Sequence, residues 1–289
     1  MLTRCAVLGS PIAHSLSPVI HRAAYRHLGL DWEYTAHEVG EGDLAGFVAS
    51  LGAGWRGLSL TMPLKRVGLD LATSASDVAA TVGAANTLVR RDDGGWDADN
   101  TDVPGIVATL REAGAAAGSD AGAAAAAAPV CLWGGGATAA SVLAALAFLE
   151  SGPVHVHVRS AARAEAALAV AAALGHPAEP APWAVLPACA GAGATVTTAP
   201  SGALDELAPD LVAAALGATG GAGRVLFDVV YDPWPTPVAA AWQAAGGVVA
   251  SGLDLLVHQA VGQVHLMTGA DVPVDVLRSA ALAAIGARA

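Results

Sequence analysis

Val130-Cys131-Leu132-Trp133-Gly134-Gly135-Gly136-Ala137-Thr138-Ala139 is the stretch on which the fold turns. Four apolar residues make a short buried strand, three glycines interrupt it, and an alanine-rich run opens a helix. The glycines fit G-x-G-x-x-G/A, a turn whose bare backbone can approach a pyrophosphate. The helix that follows offers free N–H groups and the positive end of its dipole. An ordinary tight strand-to-helix turn is the plainer alternative in a chain with 34 glycines. The strand before and the helix after favour nucleotide binding, with Gly134, Gly135, Gly136, Ala137 and Thr138 as the cradle.

Downstream the rhythm continues as strand 154–158, helix 161–174, strands 194–198 and 224–229, and helix 237–245. Strands alternating with helices predict a parallel, doubly wound α/β sheet. Two helices, about 253–268 and 274–287, finish the chain. The strand after the glycine turn ends in Val158-Arg159-Ser160-Ala161-Ala162-Arg163, with no acid before Glu165. An NAD site usually places Asp or Glu there for the ribose hydroxyls, whereas NADP sites place arginine near the 2′-phosphate. Arg159, Ser160 and Arg163 therefore read as a phosphate clamp, the alternative being solvated arginines at a helix start.

Upstream, strand 4–8 runs into Gly9-Ser10-Pro11, and Ser17-Pro18 opens a helix to about residue 28, with Ser17 as N-cap and Pro18 at N1. Strand 32–39, helix 43–51 and strand 56–60 follow. Residues 87–91 and 96–98 flank Asp92-Asp93-Gly94-Gly95 as a hairpin, and a helix runs from Asp102 to about 113. Residues 115–128 are almost only Ala and Gly, a helix tail or inserted loop that marks a seam.

The 289 residues suffice for two domains with real cores. Net charge is −11 and no Lys/Arg-rich stretch exists, which argues against a nucleic-acid or anionic-membrane surface. An anionic small molecule would have to be held by a few placed cations. Residues 130–149 carry no charge and have membrane-spanning length, but the glycines cut them near their start. No secretory leader is read, and a cytoplasmic setting is expected. Cys5, Cys131 and Cys189 are widely spaced without C-x-x-C, so neither a disulfide framework nor a structural zinc site is expected, and a reducing setting is read. His155 and His157 share one face of a strand, but no acidic or third ligand is evident and no metal is expected. The acidic run 97–102 fails as a calcium loop, because Asp102 and Ala108 stand where Gly and Glu are required.

Among fourteen basic residues the only lysine is Lys65, in Ser59-Leu60-Thr61-Met62-Pro63-Leu64-Lys65. A guanidinium stays protonated, while a lysine amine can give up its proton, so Lys65 is a candidate acid/base. A surface lysine is the plainer alternative. Asp102, at a strand-to-helix junction, reads as an N-cap or as the partner of Lys65. Ser15 and Ser17, beside helix N–H groups, could hold a substrate carboxylate.

Together these motifs resemble the shikimate dehydrogenase family across nearly the whole chain. The resemblance rests on Gly9-Ser10-Pro11-Ile12-Ala13-His14-Ser15-x-Ser17-Pro18, Thr61-x-Pro63-x-Lys65, Gly83-Ala84-Ala85-Asn86-Thr87 and Asp99-Asn100-Thr101-Asp102. Near the end it adds Tyr231-Asp232-Pro233-Trp234-Pro235-Thr236-Pro237 and Ser251-Gly252-Leu253-x-x-Leu256-Val257-x-Gln259-Ala260. It implies reversible, NADPH-dependent reduction of 3-dehydroshikimate to shikimate. It also implies two α/β domains: a substrate domain from 1–103 and 251–289, and an inserted Rossmann-like NADP domain from 104–250. By the same resemblance Ser15, Ser17, Thr61, Asn86, Asp102, Tyr231 and Gln259 contact substrate, and Lys65 with Asp102 carries the chemistry. Asp77, the glycine turn, the 158–163 segment, Val229 and Gly252 fall where the family meets its cofactor.

The chain departs from the family at Ser59, usually Asn, and at Val103-Pro104-Gly105, where a Gly usually follows the Asp. Gly135 and Thr138-Ala139-Ala140 depart from the common G-A-G-G-A-x-Arg loop, and Val158 replaces the usual Asn before Arg159. A quinate/shikimate dehydrogenase and a non-catalytic shikimate-binding paralogue are the competing readings. The arginine pair counts against NAD, and the intact Lys65/Asp102 pair counts against a paralogue. A homodimer is left open. Reducing the ketone builds an alkoxide that the Lys65 ammonium can stabilise and protonate.

Overall fold

The computed structural model describes residues 2–115, 128–184, 189, 191–217 and 220–287. Most of the alanine/glycine tract, 116–127, lies outside the described residues. The chain divides into two compact units, 1–105 with 256–289, and 106–255.

The first unit contains β1 (Thr3–Gly9), α1 (Ser17–His27), β2 (Trp32–Glu38), α2 (Leu44–Ala49), β3 (Trp55–Leu60), α3 (Lys65–Leu71), β4 (Ser74–Ala75), α4 (Asp77–Val82), β5 (Thr87–Arg90) and β6 (Trp96–Asp99), and α5 (Asp102–Glu112) starts within it. Its sheet runs β2-β1-β3-β5-β6-β4. β1 is parallel to β2 and β3, while β5 is antiparallel to both β3 and β6. The start of β5 therefore lies beside the ends of β3 and β6. The segments after β1, after β3, before β5 and after β6 gather at one edge, although they span some ninety residues of sequence. Leu8, Leu58, Leu60, Leu64 and Leu88 form the core beneath, each fully buried leucine being worth about 1.5–3 kcal/mol.

Ser17 is not the N-cap of α1. It is the first helical residue, preceded by Leu16 without a side-chain cap. Ser15 Oγ instead accepts the Ser17 N–H at 3.3 Å. The Ser-Pro pair points to the cap, but the chain already turns helical at Leu16, one residue earlier.

The second unit contains β7 (Val130–Trp133), α6 (Ala137–Phe148), β8 (Val154–Val158), α7 (Glu165–Ala173), β9 (Ala178–Pro182), β10 (Ala194–Thr197), α8 (Ala208–Leu216), β11 (Val225–Asp228), α9 (Pro237–Ala244) and β12 (Val248–Ser251). Its strand order is β12-β11-β10-β7-β8-β9, with all neighbours parallel. This is the doubly wound order, and it reverses between β7 and β10, where such sheets bind ligands outside their carboxyl ends. β9 escapes sequence reading because it carries Pro180 and Pro182, which strands tolerate at a sheet edge; β9 is such an edge. Apart from Thr138 and Ser141, α6 is apolar all round, and residues 139–146 are all buried. Among the described residues no helix is long and apolar enough to cross a membrane. α10 (Gly252–Thr268) and α11 (Val274–Gly286) end the chain, and α11 packs on α1.

The cysteine expectation is corrected. The sulfurs of Cys131 and Cys189, 58 residues apart, are bonded. Both belong to the cluster that packs with α8 and α9 around Trp133 and Trp242, a proximity that linear spacing conceals. Cys5 stays free and buried, and burial pushes its thiol up to about 11.

Candidate active site

At the gathered edge of the first unit, Lys65 opens α3 and Asp102 opens α5. Lys65 Nζ donates to Asp102 Oδ2 at 2.6 Å, in a pair whose side chains are 17% and 7% exposed. Asn100 holds the junction, its Oδ1 accepting the Val103 N–H at 3.3 Å and its Nδ2 donating to the Ala84 carbonyl at 2.9 Å. Asn86, just ahead of β5, donates from Nδ2 to Asp102 Oδ1 at 2.8 Å and to Thr101 Oγ1 at 2.9 Å, and lies 3.2 Å from Gln259 Oε1. An amide nitrogen has only two N–H donors. The longest of the three contacts, to Gln259, is therefore the least served, and the Thr101 hydroxyl, 3.4 Å from Gln259 Oε1, lies closer to Asn86 Oδ1 at 3.2 Å, so Gln259 Oε1 keeps acceptor capacity. Gln259 Nε2 is committed to the Leu256 carbonyl at 2.9 Å.

Thr61 is tied to the end of β1 through its N–H, which reaches the Leu8 carbonyl at 2.9 Å. Ser10 N–H donates to the Met62 carbonyl at 2.9 Å. These bonds bring the Ser15/Ser17 segment and the Thr61–Lys65 segment onto adjoining loops. Ser15 is half-buried and Ser17 buried.

Sequence reading misses the support beneath. Tyr34 Oη donates to Ser59 Oγ at 2.6 Å and Ser59 Oγ to Gln263 Oε1 at 2.9 Å. Gln263 Nε2 donates to the Asn86 carbonyl at 3.0 Å. Serine at 59, where the family usually has Asn, thus anchors the glutamine that fixes Asn86. Gln263 stands four residues after Gln259 on α10, so a helical-face count could have found it.

In the second unit a cavity of about 790 Å³ opens at the ends of β7, β8 and β10. Gly134, Gly135 and Gly136, Arg159 and Arg163 line it, with Val158, Trp183 and Thr198–Ala203. Gly134 has φ +121°, and a Cβ there would run into Thr198 Oγ1. A Cβ on Gly135 would run into the Arg163 carbonyl, so the departure from alanine at 135 matches the close approach of the arginine turn. Ala137 and Thr138 begin α6 behind the glycines, and Ser160 is exposed. Among the described residues, none of those lining the cavity is acidic. A side-chain-free cradle and two guanidiniums fit a dinucleotide with an additional phosphate.

Not every residue named from sequence joins these two clusters. Asp77 is exposed at the start of α4, in the first unit. Tyr231, Val229 and Gly252 lie in the second unit, where Gly252 N–H donates to the Val230 carbonyl at 3.2 Å. Trp183 and Thr198 also border the cavity; Trp183 comes from a turn, Thr198 stands at the end expected for strand 194–198, and neither belongs to a motif. Cys131, His157 and Cys189 form a buried group of metal-ligating residue types. Its two sulfurs are bonded to each other, and an oxidised pair offers no thiolate.

A doubly wound sheet with a glycine cradle at its switch point, in a chain that also holds a lysine–aspartate pair, defines a nicotinamide-nucleotide oxidoreductase class. The shikimate dehydrogenase substrate binding domain matches residues 7–88, and the shikimate 5'-dehydrogenase C-terminal domain matches 252–282. The chain belongs to the shikimate dehydrogenase family. It is 39% identical over 289 residues to the shikimate dehydrogenase (NADP(+)) of Anaeromyxobacter sp. (strain Fw109-5), covering 97% of this chain and 95% of that relative. The crystal structure of Mycobacterium tuberculosis shikimate dehydrogenase matches with TM-score 0.85 at 38% identity, over 98% of this chain and 99% of that one. Shikimate 5-dehydrogenase from Thermus thermophilus, in complex with NADP(H) and shikimate, matches with TM-score 0.81 at 30% identity, over 98% and 100%.

Proposed function

We propose that this chain interconverts 3-dehydroshikimate and shikimate with NADP(H), the first unit binding substrate and the second the cofactor. The observation that carries the reading is the 2.6 Å contact of Lys65 Nζ with Asp102 Oδ2 beside Asn86 and Gln259. The bound nicotinamide supplies the hydride. Lys65 spends one N–H on Asp102 and keeps two, one of which can be aimed at the substrate carbonyl oxygen. That bond strengthens as the oxygen gains charge, and Lys65 then delivers the proton. Asp102 holds the amine in place and aims it. Gln259 Oε1 accepts from a substrate hydroxyl, Thr61, Asn86 and Tyr231 add contacts, and Ser15 and Ser17 take the carboxylate.

On the cofactor side, Gly134–Gly136 with the start of α6 take the pyrophosphate, and Arg159 and Arg163 take the 2′-phosphate. Val229, Gly252 and Asp77 complete the cofactor contacts in this reading. An initial-rate matrix of shikimate and quinate against NADP and NAD tests it. The highest kcat/KM is expected for shikimate with NADP. Failure to oxidise shikimate with either cofactor would end the reading, and a preference for quinate would redirect it.

A further inference from the structure

Arg159 is exposed, and an exposed arginine ordinarily samples many rotamers. Here its guanidinium carbon lies 5.0 Å from the ring centroid of Trp183, over the indole face, and both residues line the same cavity. The indole is itself seated. Val158 pairs with Pro182 in the β8–β9 ladder, which places Trp183 directly beside Arg159. The Trp183 carbonyl accepts the indole N–H of fully buried Trp133 at 3.2 Å. His157 Nδ1 donates to the neighbouring Pro182 carbonyl at 3.0 Å. The rings of Trp133 and His157 stack at 4.1 Å and 6°. Two buried rings thus grip consecutive carbonyls of the segment that presents Trp183.

We propose that Trp183 is a positioning residue for cofactor selectivity, its indole face holding the Arg159 guanidinium so that the in-plane N–H fork is offered to the 2′-phosphate. A guanidinium stacks through its face and donates through its edge, so stacking leaves the bidentate edge available. The inference rests on the reading that Arg159 takes the 2′-phosphate.

The test is calorimetric binding of 2′,5′-ADP and 5′-AMP to the intact chain and to Trp183→Leu, Trp183→Phe, Arg159→Ala and the double variant Arg159→Ala/Trp183→Leu. A guanidinium–indole contact is worth about two- to thirtyfold in affinity. Trp183→Leu should lose that factor for 2′,5′-ADP and little for 5′-AMP, and Trp183→Phe should recover most of it. In the Arg159→Ala background, Trp183→Leu should add almost nothing. If Arg159→Ala is selective for 2′,5′-ADP but Trp183→Leu weakens both ligands equally, the tryptophan is only a wall and the inference is wrong. If Arg159→Ala weakens both equally, the phosphate reading of Arg159 fails first and takes this inference with it.

Discussion

Asp102 is gripped at both carboxylate oxygens: Oδ2 by Lys65 Nζ at 2.6 Å and Oδ1 by Asn86 Nδ2 at 2.8 Å. A carboxylate held at both oxygens cannot turn without breaking a bond, so it fixes the direction in which the ammonium points. Asp102→Asn offers one oxygen and one NH₂ to two donors, so one donor is left facing another. Turnover should fall by about 10²–10⁴-fold, with a stability loss of about 1–3 kcal/mol. Steady-state rates and thermal unfolding of the variant check both, and near-normal turnover would remove Asp102 from the mechanism.

Gly135→Ala restores the residue the family usually carries, yet it should be harmful here. The added Cβ meets the Arg163 carbonyl, and displacing that turn costs a charge-assisted phosphate contact of about 1.5–3 kcal/mol. NADP affinity should drop about ten- to a hundredfold by calorimetry. Unchanged affinity would mean the turn yields without moving its arginine.

Ser15→Ala should weaken shikimate binding by about 1 kcal/mol, or roughly fivefold, with NADP affinity unaltered. Because Ser15 Oγ also accepts the Ser17 N–H, a small drop in unfolding temperature should accompany it. Equal shikimate affinity in the folded variant would rule the hydroxyl out of the carboxylate site.

His21 stacks on Tyr34 at 4.0 Å, and burial lowers its pKa to about 4. Between about pH 4 and 6.5 the unfolded chain takes up a proton that the folded site refuses, so stability falls as pH is lowered through that window. The slope from this one group reaches at most about 1.4 kcal/mol per pH unit. Asp228, raised by burial, acts in the opposite sense just above its ordinary range, so the difference between wild type and variant is the informative quantity. In His21→Gln the acid-side loss measured by denaturant unfolding should flatten. An unaltered pH profile would show that His21 does not titrate in this way.

Much of this is legible in the chain because local signals and tertiary structure agree. Gly134–Gly136 follow a real strand and open a real helix, and the Asp92–Gly95 turn joins a real antiparallel pair. Lys65 and Asp102 can be paired from motifs and do touch. What stays hidden depends on contacts made across long sequence separations. The Cys131–Cys189 bond joins residues 58 apart, and the Ser59–Gln263 contact joins residues 204 apart; local spacing names neither residue's partner. The prolines of β9 mask it as a strand. The N-cap of α1 is misplaced from sequence because Ser-Pro is a strong cap signal, overridden by a chain already helical at Leu16.

The most direct test of the central claim is the turnover of Lys65→Arg beside Lys65→Ala, with shikimate and NADP saturating. Arginine keeps the charge near Asp102 but cannot readily release a proton. If Lys65 transfers the proton, both variants should lose about 10²–10⁴-fold in kcat, with shikimate affinity changing less. Near-normal kcat in Lys65→Arg would contradict the account, leaving Lys65 an electrostatic anchor only.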